Sequence, residues 1–324
     1  MKNFISVPKF YFSQLLKISP YEFNKIFSET ESEFKKHPAY NHEIFSTIKE
    51  ITEKEGINTR QFLIQRDNYL RRTSETILSV NKTLEAATKE GDSKTVSETA
   101  LNLYQEGGSG DPKRVHYELM LNSYNKFGGK IFGVPDVKRF KDLDKSSVIL
   151  EETHQFHKTL KRIYKLSYPG IIGALFAREM VADDMLEGFR KAIFEPYKNY
   201  FNNDEYKEIM EYFKEHRDED RDGGKVEELH GEMARNSAYR ASSMSKEKLK
   251  EMRDGGILFL DVQAKLWDGM LKAIIEAEKY GVKIPPKQVI KELSDSDDGK
   301  PNTSMTPSKV NPLKEEKELV KMRY

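Results

Sequence analysis

The chain of 324 residues contains no cysteine, a single tryptophan and almost no net charge. Without cysteine there can be no disulfides, thiolate metal ligands or cysteine nucleophiles. Lys and Arg number 54 against 53 Asp and Glu, so no overall field favours nucleic acid or an acidic membrane surface. No stretch approaches the roughly 18 apolar residues that cross a bilayer, and the N-terminus lacks a signal-peptide core. We expect a soluble, cytoplasmic protein with no nucleic-acid partner and no membrane span.

Apolar residues recur at three- and four-residue intervals through most of the chain, whereas alternating strand-like runs are scarce. This spacing predicts an all-α helical bundle. The predicted helices span residues 8–17, 20–36, 40–55, 58–89, 93–106, 112–128, 135–166, 169–199, 203–220, 225–240 and 245–281.

Composition divides the chain into three parts. We expect an N-terminal helical extension at residues 1–57 that packs on a core at 58–283. Residues 284–324 are rich in Ser, Asp, Pro, Asn and Lys, and such composition is typical of a flexible polar tail.

Six side chains within the core are candidate metal ligands. Three carboxylates and three imidazoles together suit iron or manganese. The six residues are Glu106, His116, Glu179, His216, Asp220 and His230.

The first two candidates flank a glycine-rich break. Glycine destabilises helix interiors, so we predict that Glu106 ends one helix before the glycines at 107, 108 and 110. Asp111 as N-cap and Pro112 at the first helical position then restart a helix, placing His116 just over one turn inside it. The break would let a carboxylate and an imidazole ten positions apart (116 minus 106) approach one point in space.

A second cluster carries three more candidates. His216 and Asp220 are four residues apart and project from one helical face, which Tyr212 continues in apolar form. After the glycines at 223–224 a helical pattern resumes, and its apolar stripe includes His230. This pattern predicts that His230 turns back toward the same centre.

Glu179 is the sixth candidate because its surroundings are apolar. At helical spacing its neighbours are Leu175, Phe176, Ala182 and Leu186. A buried carboxylate without compensation costs several kcal/mol or becomes protonated, roughly speaking, so a cation is a reasonable partner.

Each of these residues also has an ordinary structural interpretation. Taken alone, a glutamate or histidine on a helix is more often a surface residue, a cap or a hydrogen-bonded core group. A weaker candidate site combines Glu151, His154 and His157, but the flanking lysines favour a solvated face.

Placed in order, these segments resemble the haem-oxygenase-like di-iron oxidases, also described as iron-containing redox enzymes. The resemblance covers roughly residues 58–280. The segments that carry it are residues 65–69, 102–106 followed by the glycine break and His116, 173–179, 216–220 and 230–234.

The resemblance implies a haem-oxygenase-like helical bundle that binds two Fe(II) ions, with O2 as co-substrate. Glu106 and His116 would come from one helical region and Glu179 from a second. His216, Asp220 and His230 would come from a third, and the second ion would be held more weakly.

One departure from the family pattern concerns the last ligand. In many relatives the final histidine follows the aspartate by three or four residues, whereas His230 follows Asp220 by ten (230 minus 220). Either an insertion bulges out at the two intervening glycines and His230 still binds, or this ligand is lost and the second iron is weak; the apolar stripe that includes His230 favours the first.

The resemblance further implies a non-haem di-iron oxygenase or oxidase. Its substrate would be small and amino-acid-like or fatty-acid-like, and the reaction N-oxygenation, C–C cleavage or decarboxylation. The expected partners are this substrate, an unidentified electron donor and, in a homodimer, a second copy of the chain. One alternative is a metal-free helical enzyme of the cofactor-synthesis or thiamin-salvage type, with His116 and Glu179 as acid and base. Another is a helical interaction protein without turnover.

Overall fold

The computed structural model describes residues 17–217 and 226–287. This part of the chain is helical, and its β-type pairing is limited to two isolated bridges, Lys17 with Ser245 and Ile57 with Ile284. The all-α prediction is confirmed. The α-helices are α1 (Pro20–Lys36), α2 (Glu43–Glu55), α3 (Thr59–Thr73), α4 (Thr76–Glu90), α5 (Ser93–Glu106), α6 (His116–Phe132), α7 (Glu151–Ile163), α8 (Tyr168–Phe189), α9 (Asn203–Ile209), α10 (Glu211–Arg217), α11 (Val226–Ser242) and α12 (Lys246–Glu276).

Shorter helical turns join several of these helices. Helix α8 continues through a π-helical turn at Arg190–Phe194 into a 3-10 turn at Glu195–Tyr200. Further 3-10 turns lie at Pro112–Arg114, Phe140–Lys145 and Ala277–Lys279. Among the described residues, no helix has both the length and the apolar character that a bilayer span requires.

Two predicted helices, 20–36 and 93–106, have the bounds of α1 and α5. Two long predictions are wrong in extent. The predicted helix 58–89 divides after Thr73 into α3 and α4. Within the predicted helix 135–166, only Glu151–Ile163 forms an α-helix.

Two asparagine side chains bind the backbone of the segment before α7, one on each side of the 3-10 turn at Phe140–Lys145. The Asn125 side chain accepts from the Val137 N–H at 2.8 Å and donates to the Val137 carbonyl at 2.9 Å. Asn68 likewise donates to the Val148 carbonyl and accepts from the Leu150 N–H, each at 2.9 Å. These bonds satisfy backbone groups that a helix would otherwise pair.

Helices α8 and α12 cross closely in the middle of the core. A Cβ atom on Gly173 of α8 would lie 1.8 Å from the Met252 carbonyl oxygen of α12. A Cβ on Gly255 of α12 would lie 2.0 Å from the Gly170 carbonyl oxygen of α8. The absence of side chains at these glycines therefore permits the crossing. Helix α8 is buried on nearly all sides, and it carries Glu179 into the core.

The first residues of the predicted tail contact the helices. Ile284 donates its N–H to the Ile57 carbonyl at 3.0 Å and accepts from the Tyr197 hydroxyl at 2.7 Å. The Tyr200 hydroxyl donates to the Pro285 carbonyl at 2.8 Å. Tail residues 288–324, and residues 8–16 of the first predicted helix, lie outside the described residues.

Candidate metal centre

A tight turn brings Glu106 and His116 together. Glu106 is the last residue of α5, as predicted. The chain then passes through left-handed conformations at Gly108 (φ 81°), Ser109 (φ 54°) and Gly110 (φ 91°). Glycine adopts such values without steric cost. The predicted role of the glycine break, to let a carboxylate and an imidazole approach each other, is confirmed.

The predicted position of His116 within its helix is wrong. Asp111 does cap the restart, since its carboxylate accepts from the Lys113 N–H at 2.9 Å. That restart is only the 3-10 turn at Pro112–Arg114. Helix α6 begins afterwards, with His116 as its first residue.

Glu106, His116 and His216 form a compact cluster, called here the triad. Their candidate ligand atoms all lie within 4.8 Å of one another. Glu106 Oε2 is 3.3 Å from His116 Nδ1, and the rings of His116 and His216 are 4.2 Å apart between centroids. Both histidines are buried, and the Glu106 side chain is 13% exposed. Helices α5, α6 and α10 each contribute one side chain.

The backbone of α10 sets the tautomer of His216. Its Nδ1 lies 2.8 Å from the Tyr212 carbonyl oxygen. A carbonyl can only accept, so Nδ1 carries the proton and Nε2 presents the lone pair. Metal-binding histidines are commonly oriented in this way by a hydrogen bond on the other ring nitrogen.

Electrostatics give Glu106 and His216 the protonation states that metal ligands need. Burial alone raises the pKa of Glu106, but the close contact with His116 and the positive potential of the neighbouring histidines outweigh it and lower that pKa to about 2. Burial, reinforced by His116, lowers the pKa of His216 to about 3. At neutral pH the carboxylate is therefore ionised and the His216 imidazole neutral, as metal binding requires.

The triad fits a divalent iron ion. Two imidazoles and one carboxylate are the donor set of non-haem Fe(II) oxygenases. His116 Nδ1 is buried without a well-aligned hydrogen bond among the described residues, although Glu106 is close. An orphaned buried nitrogen beside a carboxylate is the kind of group that a metal ion satisfies.

Glu179 lies near the triad with a different partner. It is buried, and its Oε1 accepts from Arg178 Nη2 at 2.5 Å and Nε at 3.2 Å. It lines the same cavity as the three triad residues. The structure thus places Glu179 beside the triad and pairs it with an arginine.

His230 is buried on α11 and lines a second, smaller cavity, which Glu179 also lines. His230 Nε2 lies 2.8 Å from Gln105 Oε1, and Gln105 directly precedes Glu106. Burial lowers the pKa of His230, so its imidazole is neutral at neutral pH. The sixth candidate, Asp220, lies outside the described residues.

The cavity beside the triad has a volume of about 70 Å³, which is room for a few water-sized molecules. Its wall is mixed. The apolar part includes Ile77, Met120, Phe140, Met185 and Leu186, and the polar part includes Arg72, Thr73, Ser74, Arg178 and Tyr212.

The weaker candidate site at Glu151, His154 and His157 does not form. His154 is exposed, whereas His157 is buried with its Nδ1 3.0 Å from Glu75 Oε1. Among the described residues, the triad is the one group of three ligand-type side chains close enough for a metal ion.

Sequence reasoning missed three polar residues around the triad: Arg72, Gln105 and Arg178. The sequence did offer a clue to Arg178, since this residue adjoins Glu179 in an otherwise apolar segment. It offered no clue that distinguishes Arg72 from its neighbour Arg71, because both occur in one polar stretch.

Comparison with known proteins also points to iron. A family model described as iron-containing redox enzyme matches residues 60–264, which is more than half of the chain. The chain therefore belongs to this haem-oxygenase-like family of iron-containing redox enzymes. A search of curated proteins gives no match.

Solved structures show the same fold. Two crystal structures, at 1.35 Å and 2.00 Å resolution, are of a CADD-like protein of unknown function from Nostoc punctiforme PCC 73102. They share 16% and 17% sequence identity with this chain, and both superpose with a TM-score of 0.58. The match covers 80% of this chain and 98% and 99% of those chains.

Proposed function

We propose that this family member is a non-haem iron oxygenase or oxidase that uses O2 to oxidise a small organic substrate in the cavity beside the triad. The observation that carries the proposal is the meeting of two buried imidazoles and one carboxylate from three helices. The family match supports a redox function for residues 60–264, which contain the triad.

Glu106, His116 and His216 would hold the first Fe(II) ion, which would supply the redox capacity for reaction with O2. The residues around the triad control the tautomer and charge of its ligands. The Tyr212 carbonyl fixes the His216 tautomer, and the neighbouring histidines keep Glu106 ionised in a cavity with a mixed polar and apolar wall.

Glu179, His230 and Asp220 are proposed as ligands of a second, more weakly held ion. Glu179 lines both cavities, which supports its role as a ligand of the second ion. Both Glu179 and His230 already have hydrogen-bond partners: Arg178 donates to Glu179 Oε1, and His230 Nε2 lies 2.8 Å from Gln105 Oε1. A second ion would compete with these bonds, which supports weaker binding of this ion.

The proposal includes an electron donor because the electrons of the reaction must balance. If one oxygen atom of O2 is inserted into the substrate, the other is reduced to water with two electrons and two protons. The metal-free alternative, with His116 and Glu179 as acid and base, has less support. The carboxylate beside His116 is Glu106, and Glu179 is paired with Arg178.

An anaerobic Fe(II) titration of the full chain tests the proposal. We expect the wild type to bind at least one iron, and Glu106→Gln and His116→Gln each to weaken binding by more than about 10-fold. His154→Gln, at an exposed position, is the matched control and should bind as the wild type does. Mixing the iron-loaded protein with O2 should then cause oxygen consumption that depends on the same two residues. Equal iron uptake by all variants, or none by the wild type, would refute the proposal.

A further inference from the structure

Arg72 differs from the other buried arginines in having no acidic partner. Three arginines among the described residues are buried: Arg66, Arg72 and Arg178. Arg66 donates to Asp67 at 2.7 Å, and Arg178 donates to Glu179 at 2.5 Å. Arg72 Nε and Nη2 instead both donate to the neutral Gln263 Oε1, at 3.0 Å and 2.8 Å.

A buried cation without a counter-ion is costly and uncommon. The aromatic face of Phe156, whose centroid lies 5.7 Å from the Arg72 guanidinium carbon, compensates only weakly. Burial lowers the pKa of Arg72 to about 10; repulsion from Arg178 adds to this effect, and weaker attraction from Tyr69, Tyr212 and Glu179 opposes it, so the side chain is still charged at neutral pH. A buried, charged guanidinium without an acidic hydrogen-bond partner points to an anion that is supplied from outside the chain.

The position of Arg72 identifies where that anion would bind. Arg72, which is 6% exposed, lines the cavity that the triad lines. The other arginine of the wall, Arg178, is neutralised by Glu179. A guanidinium has five N–H donors, and Gln263 takes only two from Arg72. The remaining donors have no hydrogen-bond acceptor among the described residues.

We propose that Arg72 binds the carboxylate group of the substrate, and that Gln263 is a positioning residue that orients the guanidinium. Planar, two-pronged donation to a carboxylate is the interaction for which arginine is best suited. The inference rests on the proposed function in one respect, since it uses the same cavity. It specifies a carboxylic acid whose charged end lies at Arg72 and whose oxidised atom lies nearer the triad.

Calorimetric titration of the full chain with matched probes tests this inference. The probes are hexanoate against hexanamide and L-norleucine against L-norleucinamide, each added to metal-free and to anaerobic Fe(II)-loaded protein. We expect the wild type to bind at least one carboxylate 10-fold or more tightly than its amide. Arg72→Gln should abolish that preference, and Arg72→Lys should keep part of it. Arg71→Gln is the control, because Arg71 is partly exposed and pairs with Asp144.

A second variant keeps the test decisive if Arg72→Gln fails to fold. Gln263→Glu changes few atoms and gives Arg72 a carboxylate from within the chain. It should raise the melting temperature and at the same time remove the preference for carboxylate probes. If Arg72 were purely structural, Gln263→Glu would leave probe binding unchanged.

Two results would overturn the inference: no carboxylate preference in the wild type, or the same preference in Arg72→Gln or Gln263→Glu. Iron uptake is measured separately on each protein. If carboxylate binding depends on Arg72 but the protein takes up no iron, the proposed function is wrong and this inference is supported. If the triad takes up iron but the protein shows no carboxylate preference, this inference is wrong and the proposed function is supported.

Discussion

Acidification should destabilise the metal-free protein through His216. The pKa of this buried imidazole is about 3 in the folded state, below the value of about 6.5 for an unfolded histidine. The unfolded chain therefore takes up the proton first. A depressed pKa contributes stability that is fully present above pH 6.5 and is lost progressively as the pH falls toward 3.

The size of this effect follows from proton linkage. Between pH 7 and pH 5, one such histidine lowers the free energy of unfolding by about 2 kcal/mol. His230 adds to the loss, because burial lowers its pKa as well. Glu106 does not contribute in this range. Its folded pKa of about 2 means that its own contribution is lost only below about pH 4.5.

Urea unfolding in the presence of a chelator, followed by circular dichroism at pH 7 and pH 5, measures the effect. His216→Gln should reduce the difference between the two pH values by about 2 kcal/mol. His154→Gln, at an exposed position, should leave the difference as it is in the wild type. A wild-type protein equally stable at both pH values, or an unchanged difference in His216→Gln, would refute the reasoning.

Four further substitutions test the fold that holds the site and the site itself. Gly173→Ala, whose Cβ would fall 1.8 Å from a backbone oxygen, should lower the free energy of unfolding in urea by about 2 to 3 kcal/mol. Gly231→Ala, with nothing within 4 Å, should leave it equal or raise it slightly. Gly108→Ala, at φ 81° and 2.3 Å from a carbonyl oxygen, should weaken Fe(II) binding by about 10-fold or more, as judged by anaerobic titration. Arg178→Gln should free Glu179 and tighten binding of the second ion, seen as a stoichiometry closer to two irons per chain.

Each of these expectations has a contrary outcome. Equal stability of the variants at positions 173 and 231 would show that the crossing of α8 and α12 can accommodate a methyl group. Unchanged iron affinity at position 108 would show that the turn does not position the triad. A stoichiometry unaffected by Arg178→Gln would argue against Glu179 as a ligand of a second ion.

Local chemistry made much of the site predictable. The end of α5 at Glu106 follows from the glycines behind it, and the return to His116 needs left-handed backbone that glycine supplies. Tyr212 and His216 lie one turn apart, so the sequence alone places them on one face of α10. These features depend on residues within about ten positions of one another.

What the sequence could not predict depends on contacts between distant segments. The irregular chain directly before α7 is held by Asn68, whose partners Val148 and Leu150 lie 80 and 82 residues away. Arg72 becomes distinct from Arg71 only when Gln263, 191 residues later, is folded against it. Neither relation leaves a periodic or local signal.

The most direct test is an anomalous-diffraction map, recorded at the iron edge, from crystals of the full chain loaded anaerobically with Fe(II). We expect an iron peak within about 2 Å of ligand atoms of Glu106, His116 and His216. A loaded protein without a peak at the triad, or with iron bound elsewhere in the chain, would contradict this expectation.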